Sequence, residues 1–475
     1  MNHSVTISVH YSYLLFLLHL MSLSDKVCYT VKKYIYPEEI MQAFVLLLVA
    51  VFSIIMIYRI FYAAGMPLNN KLLLTSYVTG KKDCERSGHL CSFKEISSIG
   101  IQALCFRLLI YFVSYLALIL IYKVDQSFTD WWLKWDATNY IGIAEGGYKN
   151  IVIDGVYSMG DNVYQTLVFF PLYPAFTWVV NLIIDNIYIA ALATSTLCYV
   201  GGCIFLYMAV AYRYSVSIAE KAVILISVFP FSFYFGGMLP ESTFLLVASA
   251  CIYFTFRKKW WIAGFFAGLC ALSRMQGILI IVFMGLEWLV EYRVFDLIKN
   301  KSWKNFGKKL IYLIPIMAPL AGFGIYLLIN YINTGDFLYF LKLQSNVWSH
   351  SFKDVGTGLR KLFKYLTDEQ VSALVFSAWA PQILLFFSTL YVLFRYFREH
   401  ADSLTSFLFV YTLISYSTDY LVSGGRYLSI ALPLFIMTAC VCEKRPALYK
   451  LIVAASITFM VILMCCHTSG QNLVT

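Results

Sequence analysis

Residues 187–211 read IYIAALATSTLCYVGGCIFLYMAVA, a run of 25 residues without a charged side chain. As an α-helix, such a run is about 37 Å long, which exceeds the roughly 30 Å hydrocarbon core of a bilayer. The rest of the chain has a similar character, because 60% of its 475 residues are hydrophobic and its mean hydropathy is +0.72. These values exclude an ordinary soluble globular protein and predict an all-α polytopic membrane protein.

Hydropathy predicts a helical bundle of about 11–13 transmembrane helices. Twelve spans are predicted, at residues 42–63, 102–122, 187–211, 222–238, 241–256, 260–274, 277–294, 310–331, 371–394, 403–421, 427–442 and 448–466. A further apolar segment, 167–184, contains the motif FFPLYP. Its two prolines favour an interfacial helix that does not cross the membrane.

The distribution of Lys and Arg predicts the orientation of these helices. The connections 257–259 (RKK) and 298–309 (IKNKSWKNFGKK) are basic and should face the cytoplasm. The net charge of +10 therefore indicates membrane topology rather than nucleic-acid binding. Counting helices from these connections places two long loops, 123–186 and 332–370, on the extracytoplasmic side.

The first of these loops contains the stretch KWDATNYIGIAEGGY, residues 134–148. It combines carboxylates, including Asp136 and Glu145, with tryptophans such as Trp135. Tryptophan suits both the membrane interface and stacking on sugar rings. Two interpretations remain open on composition alone: a surface that binds carbohydrate, or a solvated loop with an aromatic belt.

Three charged residues stand at the predicted outer ends of spans: Arg274, Arg426 and Glu241. A single arginine at such a position commonly extends its guanidinium group to the interface. Two arginines at one membrane depth favour a site for an anionic lipid headgroup, because the planar guanidinium group donates paired hydrogen bonds to phosphate.

Other common sites are not supported by the sequence. Cys84, His89 and Cys91 share one loop, but without a paired CxxC motif we expect no metal site. The chain lacks a Walker motif and a strand-associated GxGxxG, so we expect no nucleotide site.

Four ordered motifs resemble the PIG-V family, the mannosyltransferases that add the second mannose of the GPI anchor, with their prokaryotic relatives. The motifs are WDA with IAEGGY (135–148), FFPLYP (169–174), FPFSFYFGGMLPES (229–242) and LSRMQG (272–277). The resemblance covers about residues 102–294, with a weaker similarity in RYLSIALPLF from Arg426. The extra helix at 42–63 and the long stretch between Tyr148 and Phe169 favour a prokaryotic relative acting on another glycan.

The resemblance implies a GT-C glycosyltransferase that uses a polyprenyl-phosphate sugar, with mannose as the implied sugar, and inverts the anomeric carbon. The resemblance implies that Asp136 is the catalytic base. Glu145 occupies the position of a second acidic residue of the family, and Arg274 occupies the position of an arginine that follows a helix in the family. We predict that Arg274 and Arg426 bind the donor phosphate. Predicted substrate-binding residues are Trp135, Tyr148, Glu241 and Gln276.

The expected partners are the bilayer, the lipid-linked donor and a glycan or glycolipid acceptor, with no cofactor and no nucleic acid. The active site would face the extracytoplasmic or lumenal side, in the plasma membrane of a bacterium or the endoplasmic reticulum of a eukaryote. We expect an N-terminal extension (1–41), either weakly ordered or a short helix. An extra helix with a basic cytoplasmic loop (42–99) and a GT-C-like catalytic domain (100–475) would follow it.

A polytopic transporter or flippase of lipid-linked sugars is the alternative. Such a protein needs polar groups near the middle of the membrane. Here the charged residues concentrate at the outer edge, with Glu287 as the main exception. The sequence therefore favours the enzyme.

Overall fold

The computed structural model describes residues 38–66, 87–123, 126–148, 165–346, 351–367, 375–398, 400, 402–419 and 421–468. Within these ranges the chain forms α-helices with short 3-10 and π-helical turns, and no β-strand is present. An isolated bridge joins Phe352 and Thr418. The predicted all-α class is confirmed, and most of the predicted N-terminal extension lies outside the described residues.

The first helices are α1 (Glu38–Ala63), α2 (Phe93–Ala117), α3 (Phe128–Trp132), α4 (Ala137–Gly146), α5 (Leu172–Ile184), α6 (Ile187–Arg213), α7 (Val216–Val228), α8 (Glu241–Phe256), α9 (Trp260–Ser273) and α10 (Ile280–Glu291). They are followed by α11 (Val294–Lys299), α12 (Trp303–Leu310), α13 (Leu313–Ile316), α14 (Ala318–Thr334), α15 (Tyr339–Asn346), α16 (Val355–Thr367), α17 (Ala380–Phe397), α18 (Ser403–Tyr416), α19 (Gly424–Ser429), α20 (Leu432–Cys442) and α21 (Pro446–Thr468).

Five helical stretches in the described part of the chain are long and apolar enough to cross a membrane. They are Val45–Ala63, Phe93–Leu120, Ile187–Arg213, Ala380–Phe397 and Pro446–Thr468. Shorter apolar helices also occur, namely Leu172–Ile184, Glu241–Phe256, Trp260–Ser273, Ser403–Tyr416 and Leu432–Cys442. The chain is therefore a multi-span helical membrane protein.

Several predicted spans are interrupted rather than continuous. The span predicted at 222–238 ends as helix α7 at Val228, just before Pro230, and continues as the 3-10 turn Ser232–Gly236. The span predicted at 310–331 is divided between α13 and α14 around Pro315 and Pro319. Proline lacks a backbone N–H and its ring clashes with the preceding turn, so each proline breaks the regular helix.

Helix α6 forms the centre of the bundle and packs against α2, α5, α7 and α8. The close approach of α6 to α8 depends on Gly202. A Cβ atom there would lie 2.5 Å from Leu245 Cγ and 3.0 Å from the Leu246 backbone nitrogen. Because both neighbours belong to a packed helix, only glycine fits. This contact fixes helix α8, which carries Glu241 at its first position.

Candidate active site

Asp136 lies at the start of helix α4, immediately after a strained residue. Trp135 has a φ of 54°, in the left-handed region that a bulky residue rarely adopts. The Asp136 carbonyl oxygen accepts hydrogen bonds from the amides of Asn139 (3.1 Å) and Tyr140 (3.2 Å). This turn fixes the backbone of Asp136, and its side chain remains 30% exposed.

Glu241 is the first residue of helix α8 and follows Pro240. Its side chain has no exposed surface. A buried carboxylate is costly unless cations or hydrogen-bond donors neutralise it. Glu241 therefore requires positively charged partners within the bundle.

Arg274 occupies the turn between helix α9 and the 3-10 segment Met275–Leu279. This turn is tight: a Cβ atom on Gly277 would lie 1.9 Å from the Cys270 carbonyl oxygen. Glycine at 277 lets the chain fold back against α9, which directs Arg274 into the bundle, where it is 8% exposed.

Arg426 lies in the short helix α19 and is 6% exposed. A Cβ atom on the neighbouring Gly425 would lie 2.3 Å from the Phe231 ring. The helix therefore packs directly on the segment FPFSFYFGG, which leads to Glu241.

These four side chains form one continuous charged network. Arg426 Nη1 donates to Asp136 Oδ2 at 2.6 Å. Arg426 Nε and Arg274 Nη1 both donate to Glu241 Oε1. Two cations thus balance two anions, with Glu241 at the buried side and Asp136 at the more exposed side.

Tyrosines surround this network. The Cζ atom of Arg274 lies 5.6 Å from the Tyr427 ring centroid, and that of Arg426 lies 5.4 Å from the Tyr234 ring centroid. Tyr140 lies one helical turn after Asp136, so the two residues share a face of α4. Burial raises the pKa of the Tyr140 hydroxyl, although the nearby guanidinium groups act in the opposite direction. Tyr140 is therefore a neutral hydrogen-bond donor at physiological pH.

Sequence analysis did not identify these tyrosines as site residues. The chain contains 36 tyrosines, so their number gives no indication of which ones line a site. The signals available were the spacing of four residues between Asp136 and Tyr140 on one helix, and the positions of Tyr234 and Tyr427 within the motifs FPFSFYFGGMLPES and RYLSIALPLF.

The other predicted site residues do not enter the network through any contact that the structure describes. Glu145 is exposed near the far end of α4, about 13 Å along the helix from Asp136. Tyr148 donates its hydroxyl to the Phe169 carbonyl at 2.6 Å. Trp135 is 40% exposed, and Gln276 is half-buried beside Arg274. Their substrate or catalytic roles stay predictions.

Groups that could hold a metal ion are absent from the described part of the chain. His89 lies 2.8 Å from Glu95, which also caps helix α2 through Ser92. Cys84 falls outside the described residues.

Residues 351–367 are attached to the turn that precedes Arg426. The amide and hydroxyl of Ser351 donate to the Asp419 carboxylate at 2.9 and 2.6 Å, and Lys361 Nζ lies 3.7 Å from it. Burial raises the pKa of Asp419, but the hydrogen bonds from Ser351 and the charge of Lys361 outweigh this effect, so the pKa lies below its ordinary value. The ionised carboxylate therefore joins helix α16 to the turn before α19.

Replacing Asp419 with Asn should lower the free energy of unfolding by about 1 kcal/mol at neutral pH. Because the folded-state pKa is lowered, the contribution of Asp419 is present above the unfolded pKa of about 3.9. It is lost as the pH falls through the lower, folded-state pKa. Melting of both proteins in detergent between pH 3 and 7 should show a difference that shrinks towards acid. A difference independent of pH would contradict this role.

No protein-family model matches the chain, and no curated protein matches it. ArnT from Cupriavidus metallidurans, bound to undecaprenyl phosphate, is similar in structure with a TM-score of 0.47 and 12% identity. The similarity covers 78% of this chain and 77% of ArnT.

The archaeal oligosaccharyltransferase AglB from Archaeoglobus fulgidus, in complex with an inhibitory peptide and a dolichol-phosphate, gives a TM-score of 0.40 at 12% identity. That similarity covers 78% of this chain and 56% of AglB, so this chain spans little more than half of the archaeal protein.

Proposed function

We propose that this protein is a GT-C-type membrane glycosyltransferase related to the PIG-V family. It transfers a sugar, taken to be mannose, from a polyprenyl-phosphate donor to a hydroxyl group of a glycan or glycolipid. The reaction takes place on the extracytoplasmic or lumenal face. The observation that carries this proposal is the partly exposed Asp136 carboxylate, joined to the Arg426 and Arg274 guanidinium groups through one network.

The chemistry of this network suits a lipid-linked donor. An acceptor oxygen attacks the anomeric carbon, the bond between that carbon and the phosphate oxygen breaks, and the acceptor proton moves to Asp136. The electron pair of the broken bond leaves with the phosphate, whose charge Arg426 and Arg274 stabilise in a site with little water. A carboxylate is an effective base when it lies within hydrogen-bond reach of the hydroxyl.

The arginines also explain why the donor requires no nucleotide. A polyprenyl phosphate carries its own leaving group and stays anchored in the bilayer, so binding needs only a phosphate-recognising group near the membrane surface. Guanidinium groups donate several hydrogen bonds in a fixed plane, which matches phosphate oxygens. Arg274 and Arg426 retain a small exposed surface through which such oxygens can approach.

Replacing Arg274 with Ala should raise the donor concentration needed for half-maximal transfer by roughly 10- to 100-fold, because a hydrogen bond to a charged group is lost. The acceptor dependence should change much less. Initial rates measured against each substrate separate the two effects. Arg257→Ala is the matched control, since Arg257 contacts Tyr253 at the opposite end of helix α8. Equal changes for donor and acceptor would argue against phosphate binding by Arg274.

The proposed function is tested by identifying the product. Purified protein in liposomes would receive a panel of polyprenyl-phosphate hexoses and candidate glycolipid acceptors. Mass spectrometry should reveal an acceptor enlarged by one sugar, and NMR should reveal an inverted anomeric configuration. If no donor yields a product but a lipid-linked sugar crosses the bilayer, the alternative of a transporter would replace the enzyme.

A further inference from the structure

Tyr234 has a buried hydroxyl group that the fold does not use. The residue lies in the 3-10 turn Ser232–Gly236 and is only 1% exposed. Its hydroxyl has no hydrogen-bond partner among the described residues. Buried polar groups are nearly always paired, because an unpaired one destabilises the folded state. An unpaired hydroxyl therefore calls for a role outside folding.

The aromatic residues next to Tyr234 are phenylalanines, which lack a hydroxyl group. Phe231, Phe233 and Phe235 flank Tyr234 in the same segment, and all of them are buried. Phenylalanine thus supplies the rings that this part of the core requires. At position 234 the chain carries a tyrosine, whose ring packs 4.5 Å from the Phe233 ring, centroid to centroid. The additional hydroxyl contributes nothing to that ring contact.

The ring of Tyr234 lies beside the charged network. The ring centroid is 5.4 Å from Arg426 Cζ. Arg426 in turn donates to Asp136 Oδ2 and to Glu241 Oε1. Glu241 Oε2 is a second buried atom without a hydrogen-bond partner in the described structure. Of these two atoms only the Tyr234 hydroxyl can donate a hydrogen bond to an anionic ligand, because a carboxylate oxygen only accepts.

We propose that the Tyr234 hydroxyl binds the donor, and this inference rests on the proposed function. The neutral phenol donates a hydrogen bond to an oxygen of the donor phosphate while Arg426 contacts the same phosphate. No bond of Tyr234 is broken, and its proton stays on the phenol. As charge accumulates on the leaving phosphate, this hydrogen bond strengthens.

The structure also indicates how the phosphate reaches this position. Of the two carboxylates bound to Arg426, Asp136 is 30% exposed, whereas Glu241 is fully buried. The phosphate therefore displaces Asp136 from Arg426 rather than Glu241. This exchange frees Arg426 Nη1 for the phosphate and leaves the Asp136 carboxylate available to the acceptor.

The Tyr234→Phe variant tests the inference because it removes only the hydroxyl. Binding of farnesyl phosphate, a short polyprenyl phosphate, should weaken about 10- to 100-fold. The melting temperature without ligand should stay equal to that of the wild type or rise, since a buried unpaired group has been removed. A loss of binding without a loss of stability distinguishes a ligand-binding hydroxyl from a structural one.

Tyr199→Phe is the matched control. The Tyr199 hydroxyl donates to Ser227 Oγ at 2.6 Å in the core, so its removal should lower the melting temperature and leave farnesyl phosphate binding unchanged. If Tyr234→Phe binds farnesyl phosphate as the wild type does, the inference is overturned.

Sugar transfer by the wild-type protein is measured in parallel. Transfer by the wild type together with unchanged binding in Tyr234→Phe would overturn only this inference. If the wild type transfers sugar from none of the lipid-linked donors, the proposed function is overturned. Weaker farnesyl phosphate binding by Tyr234→Phe would still assign Tyr234 to a phosphate site in that case.

Discussion

Asp136→Asn should reduce the rate of sugar transfer by about 10²- to 10⁴-fold, the usual contribution of a general base. Asparagine has nearly the same shape as aspartate but does not accept the acceptor proton. The variant should fold and insert normally, because Asp136 is partly exposed and its ion pair with Arg426 is screened by solvent. Initial rates of transfer, normalised to folded protein from size-exclusion chromatography, measure the effect.

Asp130→Asn provides the control for this experiment. Asp130 is an exposed carboxylate six residues earlier in the same loop, and its side chain lies outside the network around Arg426. Its replacement should leave the transfer rate close to that of the wild type. Near-normal transfer by Asp136→Asn would remove Asp136 from the mechanism.

Glu241→Gln should cause the largest loss of stability, about 3–5 kcal/mol. The substitution preserves the size of the side chain but removes the negative charge that Arg274 and Arg426 share. Two buried guanidinium groups would then face each other across a neutral amide. Unfolding in detergent by chemical denaturant measures the loss, and an unstable variant would be recognised by its low folded yield.

Glu145→Gln is the corresponding control, since Glu145 is exposed on helix α4. Surface substitutions of this kind usually change stability by less than about 0.5 kcal/mol. Equal stability of Glu241→Gln and Glu145→Gln would show that the buried ion pairs do not hold the site together. The transfer rate of Glu145→Gln also tests its predicted catalytic role.

The helical architecture was predictable because backbone N–H and C=O groups in lipid must be hydrogen-bonded within the protein. Long uncharged runs, such as residues 187–211, must form helices when they are surrounded by lipid. Helix α6, at Ile187–Arg213, confirms this prediction. The interruptions after Val228 and around Pro315 were harder to predict, since proline is tolerated in membrane helices wherever neighbouring groups satisfy the freed backbone.

The candidate site was partly predictable for a different reason. Charged residues are scarce in this chain, so Arg274, Arg426 and Glu241 stood out at the ends of apolar segments. That these arginines and a carboxylate share one membrane depth was predicted, but the individual ion pairs were not, because they join positions up to 290 residues apart, as in the contact between Asp136 and Arg426. Glu241 was predicted to bind substrate, but in the structure one of its oxygens is occupied by both arginines.

The proposed enzyme requires that the charged network lie on the extracytoplasmic side, where a lipid-linked sugar and its acceptor meet. Thr138 is exposed on helix α4, two residues after Asp136, and is therefore a suitable reporter position. Asn305, exposed on helix α12 in the basic connection, reports on the opposite side. Each position would be replaced by Cys, and the parent chain would correct for native cysteines.

The most direct measurement is labelling with a membrane-impermeant maleimide in intact bacterial cells that express the protein in their plasma membrane. Thr138→Cys should be labelled in intact cells, whereas Asn305→Cys should be labelled only after the membrane has been permeabilised. Labelling of Thr138→Cys only after permeabilisation would place Asp136 on the cytoplasmic side and contradict the proposed enzyme.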